Sequence, residues 1–172
     1  MPEFIPVLKK DEINEMVADV AHKISSDYKD RKLILIGVLK GSFVFLSDLI
    51  RNLSIPVKVD FVGVSSYGNK TSSSGKIQLT KSIEIDIKNK DVLVVEDIVD
   101  SGLTLAWLID YLMPFKPETV NVCTLIDKRE RREAQIQIGY TGYVVQEGFL
   151  IGYGLDYAED YRNLPEIYHL EL

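Results

Sequence analysis

The sequence has very little cysteine and no long hydrophobic run. Cys123 is the single cysteine, so it has no partner for an internal disulfide. Because it lies in the apolar stretch TVNVCTLI, it is expected to be a buried small hydrophobe rather than a nucleophile. No apolar stretch approaches the roughly 18 residues that a membrane-spanning helix requires. The start, MPEFIPVLKKDEI, lacks the features of a secretory signal. We therefore expect a cytoplasmic protein without a membrane partner.

The chain also lacks surplus positive charge. Its 172 residues carry 20 Lys and Arg against 26 Asp and Glu, which gives a formal net charge of −6. A protein that coats DNA or RNA needs cations to displace the counterions of the phosphates, so we expect no nucleic-acid partner. The length is that of one domain, and residues 1–172 are taken as a single unit. Hydrophobic residues make up 46% of the chain, which is enough for a packed core.

Strand-length apolar runs alternate along the chain with segments of helical spacing. Helices are predicted over residues 13–24, 43–52 and 105–113. Strands are predicted over residues 33–38, 57–64, 91–95 and 119–126, with a weaker hairpin over 77–87. This alternation predicts an α/β domain with a mainly parallel sheet.

Three acids follow the strongest strand signal, in the run VLVVEDIVDSGLT. Ligands of parallel α/β sheets bind beyond the carboxyl ends of the strands. Residues 101–104 fall where the free amides of a helix N-terminus bind anions such as phosphate. Glu96 and Asp97 would repel a phosphate unless their carboxylates meet hydroxyls or a cation. A ribose 5-phosphate bound with Mg²⁺ suits both parts of the segment, because its phosphate can bind the amides while its hydroxyls and the metal meet the two carboxylates. Simple helix capping by Asp100 or Ser101 is the plainer interpretation, but capping needs one such residue rather than four.

The run VLVVEDIVDSGLT resembles the ribose-phosphate signature of the type I phosphoribosyltransferases, and in detail that of the branch acting on hypoxanthine and guanine. The resemblance extends from about Ile36 to Arg162 and includes several motifs in the family's order. It implies a mainly parallel twisted sheet flanked by helices, with a small hood subdomain from the chain termini. It also implies transfer of 5-phosphoribose from 5-phosphoribosyl 1-diphosphate to N9 of hypoxanthine or guanine, with Mg²⁺ as cofactor. The preferred purine, and whether xanthine is accepted, stay open.

The resemblance places the phosphoribosyl half of the site on residues 96–104. It implies that Glu96 and Asp97 hold the ribose hydroxyls and the hydrated metal, and that Asp100 is the general acid/base at N7 of the purine. The 5-phosphate would bind to Ser101, Gly102, Leu103 and Thr104. Position 103 is leucine where some relatives carry lysine, so phosphate binding would depend on backbone amides and hydroxyls.

A second turn, Leu39-Lys40-Gly41-Ser42, resembles the family's pyrophosphate loop. Glycine permits close approach of the backbone, and Lys40 adds positive charge beside a helix start. The family often has a non-proline cis peptide before this lysine, which makes Leu39–Lys40 a candidate for one. Taken alone, a Lys-Gly turn is more often an ordinary connection.

Two later segments resemble the purine and metal parts of the family's site. Lys128 would donate a hydrogen bond to the purine 6-oxo group, Phe149 would stack on the ring, and the backbone of Leu150 would read the 2-position. A lysine ammonium has donors and no acceptor, so adenine, which presents an amino group at that place, would be disfavoured. Asp156 would be a direct metal ligand, and Arg162 would clamp pyrophosphate with its planar donor fork.

The polar stretch 65–75 is expected to form a flexible lid, about 65–76, with Ser66 and Tyr67 resembling the family's lid-tip pair. A reaction through a ribose cation has to exclude water, which is the reason for a lid. A plain surface loop is the alternative. The charged run 129–133 is expected to be solvated, and the tyrosines at 153, 157 and 161 are expected to pack rather than to catalyse.

Two other functions compete with this one. Regulators of the same fold bind RNA beside a vestigial phosphoribosyl site, but they need a basic face. Receiver domains of response regulators also carry an acidic pair after an apolar strand, although theirs follows the first strand and lacks the Asp-Ser-Gly-Leu-Thr continuation. Relatives of the phosphoribosyltransferase type form dimers and tetramers, so self-association is expected.

Overall fold

Helices and strands alternate along the chain in the computed structural model, which describes residues 1–67 and 76–172. The strands are β1 Glu3–Leu8, β2 Leu33–Leu39, β3 Val57–Tyr67, β4 Lys76–Lys81, β5 Asp91–Val99, β6 Thr119–Lys128, β7 Tyr140–Val145, β8 Leu150–Ile151 and β9 Ile167–Glu171. The helices are α1 Lys10–Asp27, α2 Phe43–Asn52 and α3 Leu103–Leu112, and α3 continues into a short 3₁₀ helix, Met113–Phe115.

Six strands form the main sheet in the order β4-β3-β2-β5-β6-β7. All neighbours are parallel except β4, which runs antiparallel to β3 at one edge. The register sets Leu33 opposite Val57 on one side and Asp91 on the other. The carboxyl ends of β2, β3 and β5 therefore meet at one edge of the sheet, as the predicted fold class requires.

A smaller antiparallel sheet, β1-β9-β8, joins the two ends of the chain. Glu3 of β1 lies opposite Glu171 of β9, and Leu150 of β8 lies opposite His169. This sheet corresponds to the hood that the resemblance implied.

The helices cover both faces of the main sheet because alternate strand residues point to opposite sides. Leu33 and Leu35 pack with the apolar faces of α1 and α2, whereas Ile34 and Ile36 pack with α3. Cys123 is fully buried in the first of these layers, and burial raises the pKa of its thiol well above the ordinary value. The predicted burial of Cys123 is thus confirmed. Within residues 1–67 and 76–172, no helix has the length and apolar character to cross a bilayer.

Two element boundaries near the predicted phosphate site were wrong. Strand β5 was predicted to end at Val95 but continues to Val99, because its pairing with β6 extends to Val99 opposite Asp127. Glu96 and Asp97 consequently lie within a strand rather than in a loop. Helix α3 begins at Leu103 instead of residue 105, so Thr104 is in its first turn.

The first residues of the predicted polar loop, 65–67, lie in a strand. Strand β3 continues to Tyr67 and pairs with β4, with Ser65 opposite Gln78. The backbone of Ser66 and Tyr67 therefore belongs to a strand, and the rest of the predicted lid, 68–75, lies outside the described residues.

The hairpin predicted over residues 77–87 was also wrong, because β4 ends at Lys81 and the chain then follows an irregular path. Asp60 on β3 holds that path: its carboxylate accepts the backbone N–H groups of Glu84 and Ile85 at 2.6 and 3.0 Å. Burial raises the pKa of Asp60, but these bonds, the N–H of Phe61 and the charge of Lys81 outweigh it and lower the pKa overall.

Candidate active site

A cavity of about 510 Å³ opens at the carboxyl edge of the main sheet, a size typical of small-molecule sites. The predicted site residues that line it are Gly41, Glu96, Asp97, Asp100, Ser101, Gly102, Thr104, Asp156 and Arg162. The fold thus brings residues separated by 121 positions, from 41 to 162, into one cavity.

The loop between β5 and α3 turns its carbonyl groups to one side. The guanidinium of Arg132 donates to the carbonyls of Val99 and Asp100 at 3.3 and 3.0 Å. The carbonyl of Ser101 accepts two backbone N–H groups, from Glu133 at 2.9 Å and from Ala134 at 3.1 Å. In a trans peptide the next N–H points away from the carbonyl. The N–H groups of residues 100–102 therefore face away from Arg132 and lie in front of the N-terminus of α3, an arrangement that in other proteins binds anions.

Gly102 and Ser101 complete this turn. Gly102 has a φ of +83°, in the left-handed region that favours glycine, and a Cβ there would lie 2.9 Å from the side chain of Ile136. The Ser101 hydroxyl accepts the N–H of Leu103 at 3.2 Å. The N-cap of α3 is nevertheless Gly102, so the interpretation of Asp100 or Ser101 as a simple helix cap was wrong, and Ser101 also lines the cavity.

Glu96 and Asp97 present two neighbouring carboxyl groups on the cavity wall. Burial, reinforced by the adjacent Asp97 carboxylate, raises the pKa of Glu96 well above its usual value. Burial also raises the pKa of Asp97, although the N–H of Ile98, 2.8 Å from Oδ1, works in the opposite direction. Two neighbouring acids that resist simultaneous ionisation are stabilised by hydroxyl donors or by a cation.

The Lys40-Gly41 turn packs directly against Asp97. The peptide bond Leu39–Lys40 is cis, as the resemblance suggested. A Cβ at Gly41 would lie 1.8 Å from Oδ2 of Asp97, so only glycine allows both groups to keep their places. From the other side, a Cβ at Gly154 would lie 2.3 Å from the carbonyl oxygen of Gly41. The turn is therefore held between β5 and the loop that follows β8.

Arg162 brings a guanidinium group to the cavity, 18% exposed as a side chain. It donates to the carbonyl of Gly154 at 2.7 Å and lies 3.3 Å from the carboxylate of Asp156. Its Nε is buried without a hydrogen-bond partner in the described part of the chain. An unpaired buried donor is costly unless a ligand accepts from it, so this group suits an anion.

The structure places Lys128 beside Asp100. Lys128 is at the end of β6 and is 6% exposed, and its Nζ lies 3.8 Å from Oδ2 of Asp100. The other carboxylate oxygen of Asp100 is buried, and no partner for it occurs in the described residues. A purine held by Lys128 would thus lie near Oδ1 of Asp100, an oxygen that accepts no hydrogen bond from the described residues.

Phe149 and Leu150 follow β7 in the chain and, like Lys128, are not among the residues that line the cavity. Phe149 is 48% exposed and meets the ring of Tyr157 edge to face at 5.7 Å, which leaves area for stacking. The bond from the N–H of Leu170 to the carbonyl of Phe149 makes Leu150 and His169 a non-hydrogen-bonded pair. The N–H and carbonyl of Leu150 therefore point away from β9, at the edge of the small sheet, where a ligand can reach them.

A divalent cation fits the chemistry of this edge. Mg²⁺ binds through one or two carboxylates together with waters and substrate phosphates, and Glu96 and Asp97 supply such oxygens. Across residues 1–67 and 76–172, no three Asp, Glu, His or Cys side chains converge on one point. Glu96, Asp97 and Asp156 thus do not form a single three-ligand centre in the described part of the chain.

Two residues with contacts in the site were missed by the sequence analysis. Arg132 was expected to be solvated, but its guanidinium pairs with the buried carboxylate of Asp127 and holds the carbonyls behind Asp100. Glu159 was not singled out, yet it contacts Lys40 and Arg162. Nothing in the run KRERRE distinguishes Arg132 from its neighbours, because its partners come from β5 and β6.

Comparison with known proteins gives a consistent result. Residues 7–158 match the phosphoribosyl transferase domain family. The chain is 41% identical to the hypoxanthine-guanine phosphoribosyltransferase of Bacillus subtilis, over 94% of this chain and 89% of that protein. It is 43% identical to the protein of the same name from Aquifex aeolicus, over 96% and 93%.

A solved structure agrees in three dimensions. The crystal structure of a hypoxanthine-guanine phosphoribosyltransferase from Bacillus anthracis superposes with a TM-score of 0.92 at 41% identity, covering 99% of this chain and 100% of that one. The receiver-domain alternative is therefore wrong, since the match runs over the whole fold and not only over the acidic strand. The chain belongs to the phosphoribosyltransferase family of enzymes.

Proposed function

We propose that the protein is a Mg²⁺-dependent purine salvage enzyme, which transfers 5-phosphoribose from 5-phosphoribosyl 1-diphosphate to N9 of hypoxanthine or guanine and releases pyrophosphate. The observation that carries this proposal is the position of Asp100. It begins the loop of outward-facing amides and also lies 3.8 Å from the buried Lys128 ammonium. One carboxylate thereby joins a site for a sugar phosphate to a site for a base with an oxo group.

In this reaction the bond between C1 of ribose and the diphosphate oxygen breaks, and the diphosphate leaves with the electron pair. The N9–C1 bond then forms. Asp100 would take the purine proton from N7 through its free oxygen, as general base catalysis requires. Lys128 would hold the 6-oxo group and the Phe149 ring would stack on the base, which fixes N9 towards the ribose.

Different groups of this chain would bind the 5-phosphate, the ribose and the diphosphate of the phosphoribosyl donor. The amides near Ser101 and the first turn of α3 would hold the 5-phosphate, and Glu96 and Asp97 would accept the ribose hydroxyls. Arg162 and Lys40 would neutralise the departing diphosphate, a preorganised electrostatic contribution. Bound Mg²⁺ would add charge neutralisation on the diphosphate, with Glu96, Asp97 or Asp156 as its protein contacts.

We also propose that the enzyme works in the cytoplasm as a dimer or tetramer and binds no nucleic acid. The net charge of −6 and the free buried Cys123 support a cytoplasmic enzyme without a polyanionic partner. Large exposed apolar side chains, such as Phe43 at 46% and Met113 at 52%, offer contact area for self-association.

The proposal is tested by incubating the chain with 5-phosphoribosyl 1-diphosphate, Mg²⁺ and one purine at a time, with chromatography of the products. Hypoxanthine and guanine are expected to give IMP and GMP, and xanthine serves as a third oxopurine. Adenine is expected to react at least about 10²-fold less efficiently, because Lys128 would face another donor. Turnover of adenine in preference to the oxopurines would contradict the role of Lys128, and no nucleotide from any purine would contradict the proposed function.

A further inference from the structure

The two cations assigned to the diphosphate are bridged by one carboxylate. Oε2 of Glu159 lies 2.8 Å from Nζ of Lys40, and Oε1 lies 3.1 Å from the guanidinium of Arg162. Glu159 thus uses one oxygen for each cation, as two oxygens of a diphosphate would. The bridge connects the pyrophosphate loop after β2 with a loop 119 residues later in the chain.

The backbone places Glu159 at this point. Its N–H donates to the carboxylate of Asp156 at 2.8 Å, and residues Tyr157 and Asp160 close a tight turn around it through reciprocal bonds of 3.1 and 2.9 Å. Glu159 has a φ of +73°, a conformation that non-glycine residues rarely adopt. The side chain is nevertheless 62% exposed, so its carboxylate can leave the bridge without disturbing packing.

Arg162 does not depend on Glu159 for its position. The Gly154 carbonyl and the Asp156 carboxylate hold the guanidinium from the other side, at 2.7 and 3.3 Å. Lys40 is 68% exposed, and within the described residues its ammonium pairs with Glu159 alone. Removing Glu159 would therefore leave the Arg162 guanidinium in place and free the Lys40 ammonium for another anion.

Resting on the function proposed above, we propose that Glu159 is an internal competitor for the diphosphate site, which bridges Lys40 and Arg162 between turnovers and is displaced when a diphosphate binds. The ligand class is the diphosphate group itself, whether on the activated ribose or as free pyrophosphate. Exposed ion pairs are individually weak, so a ligand with several negative charges displaces the carboxylate readily. The effect on the enzyme is weaker diphosphate affinity and easier release of pyrophosphate.

The test compares the wild-type chain with the Glu159→Gln variant by calorimetric titration of inorganic pyrophosphate in the presence of Mg²⁺. The dissociation constant of the variant is expected to fall by about three- to tenfold, the effect of losing two exposed pairs. The KM for 5-phosphoribosyl 1-diphosphate should fall by a similar factor, while the KM for hypoxanthine stays unchanged. The matched control is Glu84→Gln, which removes the same charge from an exposed carboxylate 3.3 Å from Lys81 and should change neither constant.

Unchanged or weaker pyrophosphate binding by Glu159→Gln would overturn the inference, and weaker binding would mean that Glu159 positions the two cations. A tightening of equal size in Glu84→Gln would also overturn it, since the effect would then be one of net charge. If the wild-type chain binds no pyrophosphate, the diphosphate site of the proposed function fails together with the inference. If the wild-type chain binds pyrophosphate and Glu159→Gln does not bind it more tightly, the inference fails and the proposed function stands.

Discussion

Replacing Asp100 with asparagine is expected to lower kcat by about 10²- to 10⁴-fold, the usual contribution of a general acid/base. The carboxylate has one buried oxygen without a partner in the described residues, and its other oxygen lies 3.8 Å from Lys128. Asparagine keeps the shape of the side chain but cannot accept the purine proton. Because the carbonyl of residue 100 stays bound to Arg132 at 3.0 Å, the phosphate loop should keep its form.

Steady-state kinetics with hypoxanthine and 5-phosphoribosyl 1-diphosphate measure this effect. Both KM values are expected to stay within about threefold, since a group that acts in the transition state changes kcat rather than ground-state binding. The control is Asp110→Asn, an exposed carboxylate further along α3, which should leave kcat unchanged. An Asp100→Asn enzyme with wild-type kcat, or with KM raised as much as kcat is lowered, would remove Asp100 from the proton-transfer role.

Replacing Gly41 with alanine is expected to lower kcat/KM for 5-phosphoribosyl 1-diphosphate by about 10²-fold. The added Cβ would lie 1.8 Å from Oδ2 of Asp97, so either the turn or the acid has to move. A displacement of about 1 Å in a positioned group costs about 10²-fold in rate. Both groups belong to the ribose and diphosphate half, so the KM for the purine should change much less.

Gly139→Ala provides a matched control for the stability effect of a crowded glycine. A Cβ at Gly139 would lie 2.3 Å from the side-chain oxygen of Asn121, which does not line the cavity. This variant is expected to melt at a lower temperature and to keep its kcat/KM at 25 °C. A Gly41→Ala enzyme with wild-type kcat/KM would contradict the tight approach of the turn to Asp97.

The central strands could be predicted because each is a continuous apolar run buried on both faces. The runs that begin at Leu33 and Asp91 correspond to β2 and β5. Their ends could not be predicted, because β5 keeps its pairing with β6 while its side chains become acidic at the cavity. Hydropathy reports which environment a side chain enters, whereas the end of a strand depends on its neighbour.

The site, too, has residues that the sequence predicts and residues that it does not. Residues 96–104 could be found because the acids, the hydroxyls and the glycine are adjacent in one segment at a strand-to-helix junction. Arg132 and Glu159 could not, because their contacts join segments about 30 and 119 residues apart. A left-handed backbone at a glutamate such as Glu159 leaves no signal in its residue type.

The most direct test of the account is a crystal structure of the chain with IMP. We expect the nucleotide phosphate within about 3 Å of free backbone N–H groups in the segment 101–104. The ribose hydroxyls should face Glu96 and Asp97, and the 6-oxo group should lie beside Lys128. A nucleotide whose phosphate lies away from the β5–α3 loop would contradict the account and the proton-transfer role of Asp100 with it.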